Sequence, residues 1–254
     1  MTEPVSAAEA LPPTAGILVI GDEILSGRTK DRNIGTIADF LTERGIDLKE
    51  VRIVPDEEDR IIEAVQALSR RWTYVFTTGG IGPTHDDITA DAVARAFGVG
   101  IDIDPRARAL LRANYASDDD LTPARLRMAR IPFGADLIEN RISRAPGFRI
   151  GNVHVMAGVP SVMAAMLEAI DPWLAHGTPM LSETYETRVP EGLFGDDLKL
   201  IAEAHPDVAI GSYPFHAADG RHAARLVVRS RDPARLAAVG AEVAALVARL
   251  TPAA

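Results

Sequence analysis

Apolar positions along this chain follow two alternating rhythms. Gly16-Ile17-Leu18-Val19-Ile20-Gly21 is an unbroken apolar run closed by glycines, the pattern of a strand covered on both faces. Ile34, Ile37, Ala38 and Leu41 then recur at helical spacing up to Gly45, which can turn left-handed at a helix end without a Cβ clash. Residues 46–54 read as a second strand. Pro55-Asp56 leads into a helix with the apolar face Ile61, Ile62, Val65 and Leu68, and Tyr74-Val75-Phe76-Thr77-Thr78 makes a third strand. Strand, helix, strand, helix, strand with short connections predicts a doubly wound, mostly parallel α/β sheet.

A further helix is expected through Val93, Ala96 and Phe97 to Gly98. Two more follow within 105–129, split by the acidic turn Asp118-Asp119-Asp120. Short strands are expected near 135–138, 147–150 and 153–156, and Pro160 opens a helix carrying Val162, Met163, Met166, Leu167 and Ile170. The composition changes around His176-Gly177-Thr178-Pro179. Beyond it Tyr185, Thr187 and Val189 alternate with polar residues, the period of a half-exposed antiparallel strand. One helix, strands at 208–213 and 223–229 and a final helix from Leu236 to Leu250 would complete a small α+β unit. The predicted organisation is a loose tail over 1–14, rich in Pro, Ala and Ser, an α/β domain over 15–177 and a small α+β domain over 178–254.

Composition narrows the chemistry. The chain has 254 residues, 27 Lys+Arg against 36 Asp+Glu, a net charge of −9 and no Cys. Disulfides, thiolate nucleophiles and Cys-ligated metals are excluded. The acidic balance argues against sequence-independent nucleic-acid binding. No apolar run approaches the ~20 residues of a membrane helix, and the first residues lack the basic start and apolar core of an export signal. These features predict a soluble cytoplasmic protein.

The strongest chemical signal is the loop Thr78-Gly79-Gly80-Ile81-Gly82-Pro83-Thr84, which leaves the carboxyl end of an apolar strand and runs into a helix. Glycines let backbone N–H groups crowd one anion, and the helix N-terminus adds partial positive charge. The alternative is a tight turn only. The glycines match neither the dinucleotide fingerprint nor the nucleotide P-loop. Asp86 and Asp87 follow at once; beside a phosphate they would require a divalent cation such as Mg²⁺. Helix capping through Thr84 and Asp87 is the plainer alternative. Asp56, emerging from the second strand at the same sheet edge, is either a third metal ligand or a helix cap. Asp22 and Glu23, after the first strand, bind metal or the polar end of a ligand, or form a solvated loop.

The run from Thr77 to Thr89, with Val54-Pro55-Asp56 upstream, resembles the molybdopterin-binding domain of the MoaB/Mog family. The Asp-Asp form and the opening Gly21-Asp22-Glu23-Ile24-Leu25-Ser26-Gly27 look more like the amino-terminal domain of CinA proteins and its relative in FAD synthases. Ala145-Pro146-Gly147-Phe148 and the segment from Met156 to Met163 extend the similarity, and the carboxyl-terminal unit resembles the small domain that follows in CinA. The resemblance implies a three-layer fold and a pocket for a phosphate-bearing pterin or nucleotide, lined also by Gly158 and Pro160. It implies divalent metal at Asp56, Asp86 and Asp87, a catalytic role for Asp56 and Asp87, and a homo-oligomer, dimer or trimer. In relatives the chemistry is either adenylylation of molybdopterin or cleavage of diphosphates such as ADP-ribose or FAD. Ala157 and Val162 stand where the family carries Pro and Glu, and Ser143 where Gly is usual. The deamidase domain of longer CinA proteins has no counterpart here, so that activity is expected to be absent. The leading reading is a metal-dependent phosphoanhydride hydrolase; the alternatives are a binding protein for molybdopterin or a nucleotide that performs no chemistry, adenylylation of molybdopterin, and an interaction protein using the basic strand at 223–231 with Arg225 and Arg229.

Overall fold

A computed structural model describes residues 11–250. Most of the tail expected over 1–14, and residues 251–254 of the expected second domain, lie outside the described residues. The last residue of that tail belongs to the fold: Thr14 opens the first strand, and the Pro13 carbonyl accepts from Asp47 N at 2.8 Å. The chain forms two compact units that divide between Gly177 and Thr178.

In the first unit β1 (Thr14–Ile20) is followed by a short helix α1 (Asp22–Leu25), α2 (Asn33–Glu43), β2 (Asp47–Val54), α3 (Glu58–Arg71), β3 (Tyr74–Thr78) and α4 (Thr89–Phe97). Next come β4 (Ile101–Ile103), α5 (Pro105–Arg112), α6 (Pro123–Arg127), β5 (Arg130–Pro132), β6 (Asp136–Ile138), β7 (Gly147–Ile150), β8 (Val153–Met156) and α7 (Pro160–Ile170). The six-stranded sheet runs β2-β1-β3-β8-β7-β6. Its first four strands are parallel, while β7 and β6 pair antiparallel at the edge. The sequence pattern does not isolate β4 and β5, a two-stranded ribbon of three residues each.

The unbroken apolar run of β1 has a direct cause. Leu18 and Ile20 face one core with Ile61, Val65 and Leu68 of α3 and Val93 of α4. Ile17 and Val19 face the other with Ile37 and Leu41 of α2 and Met163 and Met166 of α7. Helices thus cover both faces, giving three layers, and each fully buried side chain of this size contributes about 1.5–3 kcal/mol. β2 lies at the sheet edge, so its residues alternate in exposure.

The second unit contains β9 (Leu181–Thr187), α8 (Gly195–Ala204), β10 (Ala209–His216), β11 (His222–Ser230) and α9 (Pro233–Leu250). The antiparallel sheet has the order β10-β11-β9, and its core joins Phe194, Leu198, Leu226 and Val228 to Val239, Val243 and Leu246 of α9. On this sheet Arg225 pairs with Glu186 at 2.8 Å and lies over the Phe215 ring.

Candidate functional site

The strand order places a topological switch at β1. The chain leaves β1 toward β2 on one side and returns as β3 on the other, which opens a crevice outside their carboxyl ends, the usual ligand site of such sheets. Four loops meet there, those after β1, β2, β3 and β8. Asp22 N donates to Asp56 Oδ2 at 3.0 Å, joining the exits of β1 and β2. Asn33 Nδ2 donates to the Gly158 carbonyl at 2.8 Å, joining the start of α2 to the loop after β8. A Cβ on Gly158 would lie 3.3 Å from Gly79 Cα, so these two backbones touch.

The glycines after β3 are required by that crowding. Gly79 has φ +102°, and a Cβ there would sit 2.1 Å from the Ile20 carbonyl oxygen. Gly80 has φ +67°, and its Cβ would meet Thr89 Oγ1 at 2.1 Å. Only glycine occupies such a place without strain. Thr89, fully buried, pins the loop: its hydroxyl donates to the Gly79 carbonyl and its amide to the Gly80 carbonyl, both at 3.0 Å. Gly79 N donates back to Met156 O at 3.3 Å. Among the described residues, the amides of Gly80, Ile81 and Gly82 have no hydrogen-bond partner within the protein.

Pro83 and Thr84 form the exposed tip of this loop. Asp87 Oδ2 accepts from Thr84 N at 2.8 Å and from Thr84 Oγ1 at 2.5 Å, closing a turn. The helix itself starts later, at Thr89, so this contact caps the turn and not α4. The Thr84 hydroxyl sits between two carboxylates. Together with the Asp86 amide, and then the charges of His85 and Arg127, it holds the Asp86 carboxyl below the usual range. Replacing Asp87 by alanine removes the oxygen that accepts from both the Thr84 amide and the Thr84 hydroxyl. We expect this to lower Tm, read by thermal melting, by only a few degrees, about 1 kcal/mol in an exposed turn.

Asp56 behaves in the opposite way to Asp86. Burial pushes its carboxyl up; the Asp22 amide works against this, and the negative charges of Asp22, Glu23 and Asp86 add to it. Asp22, Glu23 and Asp86 therefore lie near enough to act on the Asp56 carboxylate, and the four supply hard oxygen donors at this edge of the sheet. That donor set suits a small divalent cation. Among the described residues no three acidic or histidine side chains converge closely enough to hold an ion unaided. A cation there would draw further oxygens from water and from a ligand phosphate, the habit of Mg²⁺.

Two small cavities flank the loop. One, about 70 Å³, is lined by Glu23, Asn33, Thr78, Gly79, Gly158 and Pro160 among others. The second, about 20 Å³, has room for about one water and is bounded by Gly80, Ile81, Gly82, Asp87 and Arg127. The site residues expected from the sequence thus gather around one loop, with Thr78, Gly79, Gly158, Pro160 and Glu23 on one side and Gly80, Ile81, Gly82 and Asp87 on the other. Three contributors were not expected. Arg127 donates to the Asp87 carbonyl at 3.1 Å and keeps a buried, unpartnered Nε beside the loop. Thr89 anchors the glycines, and Asn33, 5% exposed, anchors Gly158. Arg127 lies 40 residues from the contact it makes, so no local pattern marks it; Asn33 and Thr89 read in sequence as ordinary first residues of helices.

Comparison with known proteins is in keeping with this geometry. Residues 16–176 match the family model described as "Probable molybdopterin binding domain", and residues 179–251 match the middle domain of FAD synthase. A protein of Aeropyrum pernix is 35% identical over 229 residues, covering 86% of this chain and 85% of that protein. A protein of Archaeoglobus fulgidus is 32% identical over 202 residues, covering 78% and 84%. Among solved structures, the CinA protein of Thermoplasma acidophilum, described as of unknown function, aligns with TM-score 0.60 and 36% identity over 63% of this chain and 97% of its own.

Proposed function

The chain belongs to the CinA-like molybdopterin-binding domain family, and we propose that it binds a phosphate-bearing pterin or nucleotide and cleaves its phosphoanhydride with the help of a divalent cation. The observation that carries this reading is the row of amides at Gly80, Ile81 and Gly82, which have no partner within the protein. Such donors, left unpaired in an otherwise hydrogen-bonded loop, favour an anionic oxygen. The carboxylates of Asp56, Asp86, Asp22 and Glu23 would hold the cation, which when bound offsets charge on the phosphoryl oxygens. Asp87 contributes through the turn it closes around Thr84 and, by Oδ1, toward the same ion.

In this reading the loop amides orient the diphosphate, and Asp56 accepts a proton from the attacking water. The water oxygen bonds to phosphorus, the bridging P–O bond breaks, and the leaving phosphate departs with its electron pair. Asp56 suits the task by its place at the carboxyl end of β2, tied to the exit of β1 by the Asp22 amide and partly withdrawn from solvent.

The test is turnover of ADP-ribose and FAD with Mg²⁺, Mn²⁺ or Co²⁺, followed by product chromatography. Asp56→Asn is expected to lose about 100-fold or more in kcat. Its Tm should hold or rise, because it removes a repelled, desolvated carboxylate and keeps an oxygen for the Asp22 amide. No turnover by wild type, or full turnover by Asp56→Asn, would refute the hydrolytic reading.

A non-catalytic binder is favoured by one specific observation. Val162, where the family carries Glu, is 7% exposed and packed in the core beside α2, so the carboxylate of relatives has no equivalent there. Tight stoichiometric binding without product formation would select this reading.

A further inference from the structure

We infer that His216 and His222, at the tip of the hairpin joining β10 to β11, form a two-imidazole chelate for a borderline divalent transition metal such as Zn²⁺. The two residues stand directly opposite each other in the antiparallel register. In the neighbouring pair the Ala217 amide donates to the Arg221 carbonyl at 2.9 Å. His216 and His222 are therefore a non-hydrogen-bonded pair, the kind whose side chains lie closest. Their ring centroids are 4.9 Å apart and the planes are tilted by 46°. A shared metal requires that spacing: with about 2.1 Å from zinc to nitrogen and about 1.1 Å more to the ring centre, two imidazoles at a tetrahedral angle have centres about 5 Å apart. Rotation of each ring about its own side-chain bonds would then bring one nitrogen of each to the ion.

Both imidazoles are exposed, and among the described residues neither forms a hydrogen bond or an ion pair. By contrast His176 and His205 lie against Asp171 and Glu242, and His154 is buried. The turn between the pair is held in place. Gly220, with φ +78°, donates to the Ala217 carbonyl at 2.8 Å, and Asp219 accepts from the Arg221 amide at 3.1 Å and from Arg188 at 3.3 Å. Asp219 is thus engaged, and among the described residues no third acidic or histidine side chain converges on the pair. Two protein ligands leave the other positions of the ion open to water or to a small molecule. Imidazole suits Zn²⁺, Cu²⁺ or Ni²⁺, whereas Mg²⁺ takes oxygen, so this site differs in chemistry from the carboxylates of the first unit.

The test titrates the full chain with Zn²⁺ alone and follows the carbon-bound ring protons of the histidines by NMR. In wild type the His216 and His222 signals should move together and saturably, while Mg²⁺ at the same concentrations moves neither. His216→Gln and His222→Gln, read on the imidazole that remains, should each weaken Zn²⁺ binding at least roughly tenfold, because the second nitrogen binds at high effective concentration only once the first is in place. Both substitutions fall on exposed side chains, so without metal each variant should keep the wild-type Tm to within a few degrees. The inference fails if Zn²⁺ moves neither imidazole, or moves one without the other. It fails if either single variant falls short of the tenfold loss, which would make the two rings independent surface ligands and the metal an adventitious ion only. An equal response to Mg²⁺ would also overturn it.

Discussion

Gly79→Ala is expected to be the most damaging single substitution in the α/β unit, lowering stability by about 4 kcal/mol or more and abolishing binding of phosphate-bearing ligands. A methyl group at this position would lie 2.1 Å from the Ile20 carbonyl oxygen, which belongs to the central strand β1 and cannot swing aside as a side chain would. The positive φ of +102° adds its own penalty. Relief would require β1 and β3 to separate at their carboxyl ends, where Gly79 also donates to Met156 of β8. Gly98→Ala is the matched control: it too has positive φ, but its Cβ would meet nothing within 4 Å. Urea titration should show Gly98→Ala losing about 1 kcal/mol with ligand binding intact. Equal losses in the two variants would mean that backbone conformation, and not crowding at the sheet edge, sets the requirement.

Acid is expected to unfold the protein through His154. This residue lies in β8, 1% exposed, stacked on Phe76 with ring centroids 5.2 Å apart and edge-on to Tyr74. Neither ring nitrogen has a hydrogen-bond partner. Burial pushes its pKa down to about 4; the nearby backbone of Val75 and Asn152 acts in the other direction, and the Arg149 cation lowers it further. The folded protein therefore keeps His154 neutral while the unfolded chain, titrating near 6.5, takes up a proton. Stability is fully present above pH 6.5 and is lost as the pH falls toward about 4, because protons then favour the unfolded state. Between pH 7.5 and 4.5 this amounts to on the order of 2–3 kcal/mol. Urea midpoints at the two pH values measure it, and His154→Leu should lose less stability over that interval by this amount. An unchanged pH dependence in His154→Leu would show that another group carries the acid sensitivity.

The sequence revealed those parts of the fold whose cause is local. β1 reads as a central strand because both of its faces are apolar, and α3 reads as a helix because Ile61, Val65 and Leu68 recur on one face. The two-stranded ribbon of β4 and β5 escaped because each strand is three residues long and its pairing joins segments separated by two helices. The antiparallel edge of the main sheet is built from local pairings, β7 turning straight into β8 across Gly151 and Asn152, but its strands of three and four residues are too short for a period to show their direction. At the site, glycines and carboxylates are legible because their spacing is compressed into one loop. What the sequence does not display is the division of labour among the acids. Asp86 belongs electrostatically with Asp56, while Asp87 turns back to Thr84. Nor does it display Arg127, Thr89 and Asn33, whose roles depend on which backbone groups the fold brings within reach.

The most direct measurement of phosphate binding by the glycine loop is a titration of ¹⁵N-labelled protein with inorganic pyrophosphate, with and without Mg²⁺, followed through the backbone amide resonances. The amides of Gly80, Ile81 and Gly82 are predicted to move first and furthest, saturably, with affinity strengthened by Mg²⁺ and that strengthening lost in Asp56→Asn. Saturating pyrophosphate that leaves these three resonances in place, or shifts elsewhere in the chain with none in this loop, would contradict it.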